Sequence, residues 1–509
     1  MTLDDLMGID FGRTAPAEGI QLLGLLIDAG TDGDSEPALE RATQAAITLR
    51  DQRPDGIDDA LLYYFQSNAW SALRSVRHAS KAESEWDWEV PELEQQVIAL
   101  RSAKTSPGYE HLSRNRKCQI YTNLAGALST VGRATEAIEC WSQALDLNSK
   151  FAMAMGNMAH HLVFYISYLY DQGHQQIYAR FAHSHLTKAL SLPLESHAVK
   201  SSLHSTLDWL KSLAPAGYFG TKFKLREHSM GKTKKERTYR EWCLNERLFL
   251  NPINDILRES VAAHDILNLP TMRGTLADFA KWVGLFNAMK QEFIAARVFL
   301  FKAYSKHPSH YSDKHVQFSN PLRNVRYGLA IEQTKVAFRL SYSILDKIAL
   351  FINSYFQLSV NANRVYFRTI WHNKCLPEKG VRPELSHRKN LPLRGLFWVA
   401  KDLDEKGVFH ESLEPDARQL GALRNALEHR FVQTLQSAHE IDSGVAPPDE
   451  LCFDISYAEL NAKAMRMLRK ARAALTYLSL AVHVDQRHQN SSGDDEMLEI
   501  ENEVWRDAT

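Results

Sequence analysis

From Pro16 to about Leu213, apolar residues recur at spacings of three and four, in segments broken by turn-forming runs such as GTDGDSEP and QRPDG. This period places one apolar stripe along each of a series of helices and predicts an all-α fold. A stripe of that kind is buried only against another helix, so successive helices are expected to pack on one another. At 509 residues the chain exceeds a single hydrophobic core, which predicts two or three domains.

One repeat is legible within this region. In YTNLAGALSTVGRATEAIECWSQALDLNS, the residues Tyr121, Leu124, Ala125, Leu128, Gly132, Ala137, Trp141 and Ala144 fall at the spacing of a tetratricopeptide repeat, whose two helices need small residues where they cross. One repeat length further on stand Met155, Met158, Ala159 and Leu162, and RFAHSHLTKALSLP carries Ala182, Leu186 and Ala189 at second-helix spacing. Residues 1–215 are therefore expected to form a tetratricopeptide-like helical-repeat region offering a surface to a protein or peptide ligand. Generic helical hairpins are the plainer alternative.

A composition shift follows. TKFKLREHSMGKTKKERTYR holds eight lysines and arginines against two glutamates, although the whole chain has a net charge of −1 and is not a globally basic nucleic-acid binder. A polyanion contact and a phosphate loop around Gly231, Lys232 and Thr233 are the functional readings. The phosphate loop lacks a glycine five residues earlier, where Arg226 stands. Residues 216–310 are read as a basic linker with connecting helices. HPSHYSDKH, with His307, His310, Asp313 and His315, contains a proline and no helical spacing, so it reads as a polar loop rather than a metal site.

Five scattered cysteines without a CxxC pair argue against a zinc site and a disulfide framework. The acidic start MTLDDLMGIDFGRT has no basic region leading an apolar one, and no run is long enough to span a bilayer. A cytoplasmic protein with no membrane contact and no cofactor is expected.

The C-terminal part is again helical. Ile331 to Leu358 reads as a long helix with Val336, Leu340, Ile344, Ile348, Ile352 and Tyr355 on its apolar face, and LRGLFWVAKDLDEK and AELNAKAMRMLRKARAALTYLSLAVH add two more helices. Together with a helix over LRNALEHRF they suggest a bundle over residues 311–487, followed by an acidic tail over 488–509. On the LRNALEHRF helix, Leu420, Leu423, Leu427 and Phe431 cluster within about 80° as a buried stripe, with His429 about 180° from Leu420 and Asn425 one turn before His429. Arg424 lies near the edge of the stripe, free to reach around or to pair with Glu428.

Arg424, Asn425 and His429 resemble the RxxxxH signature of the HEPN superfamily (higher eukaryotes and prokaryotes nucleotide-binding), with the motif's polar second position kept as Asn425. The surrounding LDKIALFINSYF and NLPLRGLFWVAKDLDE segments strengthen that resemblance, which extends over about Tyr311 to Arg487 and is architectural before Lys211. The combination is similar to large bacterial HEPN proteins with tetratricopeptide-like N-terminal regions. The resemblance implies a four-helix-type bundle, metal-independent ribonuclease chemistry, an RNA substrate and a homodimer that brings two motifs together. The residue types suit that chemistry. A histidine can move the 2′-hydroxyl proton and an arginine can neutralise the phosphorane charge, with no metal required. His429 is assigned general acid/base work, Arg424 transition-state charge stabilisation and Asn425 orientation of the phosphate or of His429.

On the last helix Lys463, Arg466 and Lys470 stand at i, i+3 and i+7 as a basic stripe for RNA, with a solvated face as the alternative. The leading expectation is a conditional endoribonuclease of a bacterial defence or toxin system, regulated through its helical repeats. A non-catalytic scaffold for RNA, nucleotide or partner proteins is the competing reading.

Overall fold

Helices account for nearly every element of the computed structural model, which describes residues 1–52, 56–79, 86–194, 196–304, 310–318, 325–403, 413–414, 416–436, 451–489 and 497–498. In chain order they are α1 (Leu3–Met7), α2 (Pro16–Asp32), α3 (Glu36–Asp51), α4 (Asp59–His78), α5 (Pro91–Thr105), α6 (Arg114–Thr130), α7 (Ala134–Leu147), α8 (Ala152–Tyr165), α9 (Gln172–Leu190) and α10 (His197–Ser212). They continue as α11 (Lys234–Asn245), α12 (Ile253–Ile256), α13 (Leu276–Tyr304), α14 (Leu329–Tyr355), α15 (Pro383–Ser386), α16 (Leu391–Lys401), α17 (Ala417–His429) and α18 (Tyr457–Gln489). The fold class is all-α. Two small sheets decorate it: β1 (Met272–Arg273) pairs with β5 (Met497–Leu498), and β3 (Phe431–Leu435) lies between β2 (Val325–Arg326) and β4 (Cys452–Ser456). Among the described residues no helix is long and apolar enough to cross a membrane.

The chain divides into two units. The first comprises Met1–Ser167, Gln175–Lys222 and Ser412–Pro415; the second comprises Tyr168–His174, Phe223–Glu411 and Asp416–Thr509, as far as these residues are described.

In the first unit each helix packs mainly on helices adjacent or next but one in sequence: α2 on α3, α3 on α4, α4 on α5, α6 on α7, and α8 on α6 and α10. The α6–α7 hairpin shows why. Ser113 caps α6 by accepting from the Arg116 N–H at 3.2 Å. At its far end Gly132 takes φ +85° while the Arg133 N–H reaches the Leu128 carbonyl at 2.9 Å and the Gly132 N–H reaches Ser129 at 3.0 Å. This left-handed glycine closure reverses the chain in three residues and brings α7 back along α6. Leu124, Ala125, Leu128, Ala137, Trp141 and Ala144 are all buried there. Between α5 and α6 the chain passes so close to the segment before α4 that a Cβ on Gly108 would stand 2.2 Å from the Ile57 carbonyl oxygen.

The second unit is assembled differently. α14 packs along both α13 and α18, and α16 packs on α18. The bundle therefore includes α13, one helix ahead of the expected start at residue 311, and α13 buries Phe279, Phe286, Met289, Phe293 and Leu300. The expected face of α14 holds in its second half, where Ile344, Ile348, Ile352 and Tyr355 are buried, but Val336 is 36% exposed. The first half instead buries Ile331, Thr334, Ala337 and Phe338, because contact with two helices widens and turns the covered face.

The region expected to be a linker opens on a 3-10 turn at Tyr218–Gly220 and is largely exposed and without helix or strand only from Thr221 to Thr233. Thr233 then caps α11, accepting from the Glu236 N–H at 3.2 Å, while Glu236 accepts from the Lys232 N–H at 2.9 Å. The Gly231, Lys232 and Thr233 segment is thus the N-terminal cap of α11, with Glu236 tying back the residue before Thr233. Beyond α11 lies core: Leu248, Phe249, Leu250 and Ile253 are buried. Arg297 is also buried and donates to Asp265 at 2.8 and 2.7 Å and to the Leu248 carbonyl at 2.8 Å. In the polar loop Asp313 accepts from the Leu329 N–H and so caps α14; His307 and the acidic tail from Asp494 to Asp507 lie outside the described residues apart from Met497–Leu498.

Candidate active site on the exposed face of α17

Leu420 and Leu423 are fully buried, joined by Ala417, Gly421 and Ala426, and this face seats α17 against α14, β3 and β4. The opposite face carries Asn425 and His429, both exposed, one turn apart. His429 is the last helical residue. Arg430 turns extended at φ −136°, ψ −159°, and the chain enters β3, whose pairing with β4 is parallel from Phe431↔Cys452 to Leu435↔Ser456. The expected stripe therefore needs correcting at its end: Leu427 is only half-buried, and Phe431 is 46% exposed because it belongs to the strand. Val432, Thr434 and Leu435 point inward instead, as β-branched and apolar residues of a short strand do.

Arg424 is half-buried beside α14. Its guanidinium carbon lies 5.1 Å from the centre of the Tyr342 ring, and Nη2 is 3.7 Å from Asp346 Oδ2. Asp346 is itself fixed, accepting from the Phe367 N–H at 3.0 Å. An aromatic face and a carboxylate thus hold the guanidinium, and the contact to Asp346 is longer than a hydrogen bond, so among the described residues Arg424's donors stay available to an anion.

The sequence offered an Arg424–Glu428 pair as the plain alternative, but Glu428 is taken by another residue. Arg339 on α14 donates Nε and Nη2 to its two carboxylate oxygens at 3.0 and 3.1 Å. That hydrogen bonding holds the Glu428 carboxyl below the usual carboxylate range, helped by the positive charge of Arg339 and Arg424. Lys335 adds a second tie, donating to the Val432 carbonyl at 3.2 Å and fixing the start of β3 against α14. Arg339, Tyr342 and Asp346 were missed in the sequence, yet their spacing of three and four places them on one face of α14. Polar residues at helical spacing opposite a motif helix are the signal that would have found them.

The basic stripe on α18 does not face solvent. Lys463 is buried and donates to Asp416 Oδ2 and Gln419 Oε1, each at 2.9 Å; Lys470 is buried against Asp402; Arg466, partly exposed, pairs with Asp416. Arg472 nearby is buried and donates to Asp255 at 2.5 Å and to the carbonyls of Phe249 and Asn251 at 2.7 and 3.0 Å. α18 is enclosed along most of its length, so these cations are neutralised by acids within the unit instead of meeting RNA phosphates.

No curated protein and no solved structure matches the chain. Residues 275–485 match the family model described as LA2681-like HEPN, a span that starts just before α13 and ends within α18. Arg424, Asn425 and His429 lie inside it. The helices from α13 to α18 thus match a HEPN domain.

Proposed function

We propose that the HEPN domain is a metal-independent endoribonuclease of a bacterial defence or toxin type, regulated through a tetratricopeptide-like N-terminal region that binds a protein or peptide. The observation that carries this reading is the α17 face. It combines an exposed imidazole, an exposed amide one turn away, and a guanidinium held by Tyr342 and Asp346.

His429 moves the proton of the 2′-hydroxyl or of the leaving 5′-oxygen, and Arg424 stabilises the charge that builds on the phosphorane. Asn425 orients the phosphate or the imidazole. One histidine serves only one end of the reaction at a time, so a two-fold pairing of α17 faces in a homodimer would supply the second. Attack by the neighbouring 2′-hydroxyl leaves a cyclic phosphate on the 5′ fragment, which opens to a 3′ phosphate. Purified protein incubated with total RNA is expected to yield fragments with these ends. Fragments ending in a 3′ hydroxyl would contradict the mechanism, and no cleavage under any condition would leave the HEPN scaffold as the better reading.

A further inference from the structure

The Arg339–Glu428 pair asks for more than a structural explanation. Its side chains are 47% and 38% exposed, it flanks His429 directly, and α14 is already tied to the motif segment by Lys335 on the Val432 carbonyl and by Arg424 over Tyr342. An exposed pair of this kind is a weak tether. A guanidinium that holds a carboxylate with two parallel N–H donors offers the same fork to two oxygens of a phosphate diester.

We propose that Glu428 occupies, in the RNA-free protein, the place of a substrate phosphate, and that Arg339 exchanges this carboxylate for the phosphate when RNA binds. The inference rests on the ribonuclease reading of the α17 face. It makes Arg339 a substrate-binding residue and Glu428 a built-in competitor that keeps the cationic site from binding other anions. No bond forms or breaks in the exchange. One bidentate ion pair replaces another, and the released carboxylate turns to solvent, where its exposure already places it.

The test measures affinity for a fluorescein-labelled 2′-O-methyl RNA oligonucleotide, which lacks the attacking hydroxyl and so reports binding alone. With the full chain, Glu428→Gln is expected to tighten binding about tenfold and to steepen its salt dependence by about one counterion. Arg339→Gln is expected to weaken binding by a similar factor and flatten the slope by about one. In the double variant the gain from Glu428→Gln disappears, because the fork it would release is absent. Opposite signs cannot come from partial unfolding, which would weaken both variants. Equal signs, unchanged affinity, or a gain that persists without Arg339 would overturn the exchange. Parallel cleavage of ordinary RNA separates the two readings: unchanged affinities beside His429-dependent cleavage refute the exchange alone, whereas a protein that neither binds nor cleaves RNA refutes both.

Discussion

Each of the two units is built on its own internal contacts, and these differ in range. In the first, α2 to α8 meet mainly their sequence neighbours, with buried Leu, Ala and Trp at the crossings and glycine at a tight reversal. In the second, α18 closes a structure whose partners lie far away along the chain, as when Arg472 meets Asp255, 217 residues earlier, or Lys470 meets Asp402, 68 residues earlier. A neighbour-packed array passes stability along from helix to helix, so damage stays local. A bundle tied by buried ion pairs loses several elements at once when one pair is broken.

The largest effect is expected from Arg472→Ala. It leaves Asp255 charged and buried and deprives the Phe249 and Asn251 carbonyls of their donor, which costs about 3–5 kcal/mol. Hydrogen exchange should show protection falling together in α12, α13 and α18. If the loss were confined to the turn around Arg472, the second unit would be no more cooperative than the first.

Gly108→Ala should cost less, about 1–3 kcal/mol, because the added Cβ meets the Ile57 carbonyl oxygen at 2.2 Å and backbone must move. Faster exchange should be restricted to the ends of α4, α5 and α6. A collapse of protection throughout α1 to α8 would remove the distinction between the units.

The same difference in range explains what could be read without coordinates. Helical period and the reversal at Gly132 are local signals, so the helices of the first unit and the burial of Leu124, Trp141 and Ala144 were legible from spacing. So was the exposed placement of Asn425 and His429 opposite Leu420 and Leu423. Nothing local separates a lysine that faces water from one that meets an acid dozens of residues away. Lys463 and Lys470 therefore looked like an RNA-facing stripe, whereas burial pairs them with Asp416 and Asp402. Phe431 was misplaced for a related reason. A helical wheel continues indefinitely, whereas the chain leaves the helix at Arg430 to pair with Cys452–Ser456, beyond the range of any local period.

We propose that Arg424 and His429 form an active site in which Arg424 rests against α14 and His429 stands on the exposed face of α17. It is tested most directly by the cleavage of RNA in excess EDTA by the unaltered protein and by His429→Ala, with the melting temperature of each recorded. His429 is exposed at the end of α17, so its truncation should change stability by about 0.5 kcal/mol or less. The account predicts cleavage that survives the chelator in the unaltered protein and is lost in a His429→Ala variant that melts at the same temperature. Cleavage abolished by EDTA, or full activity retained by His429→Ala, would contradict it.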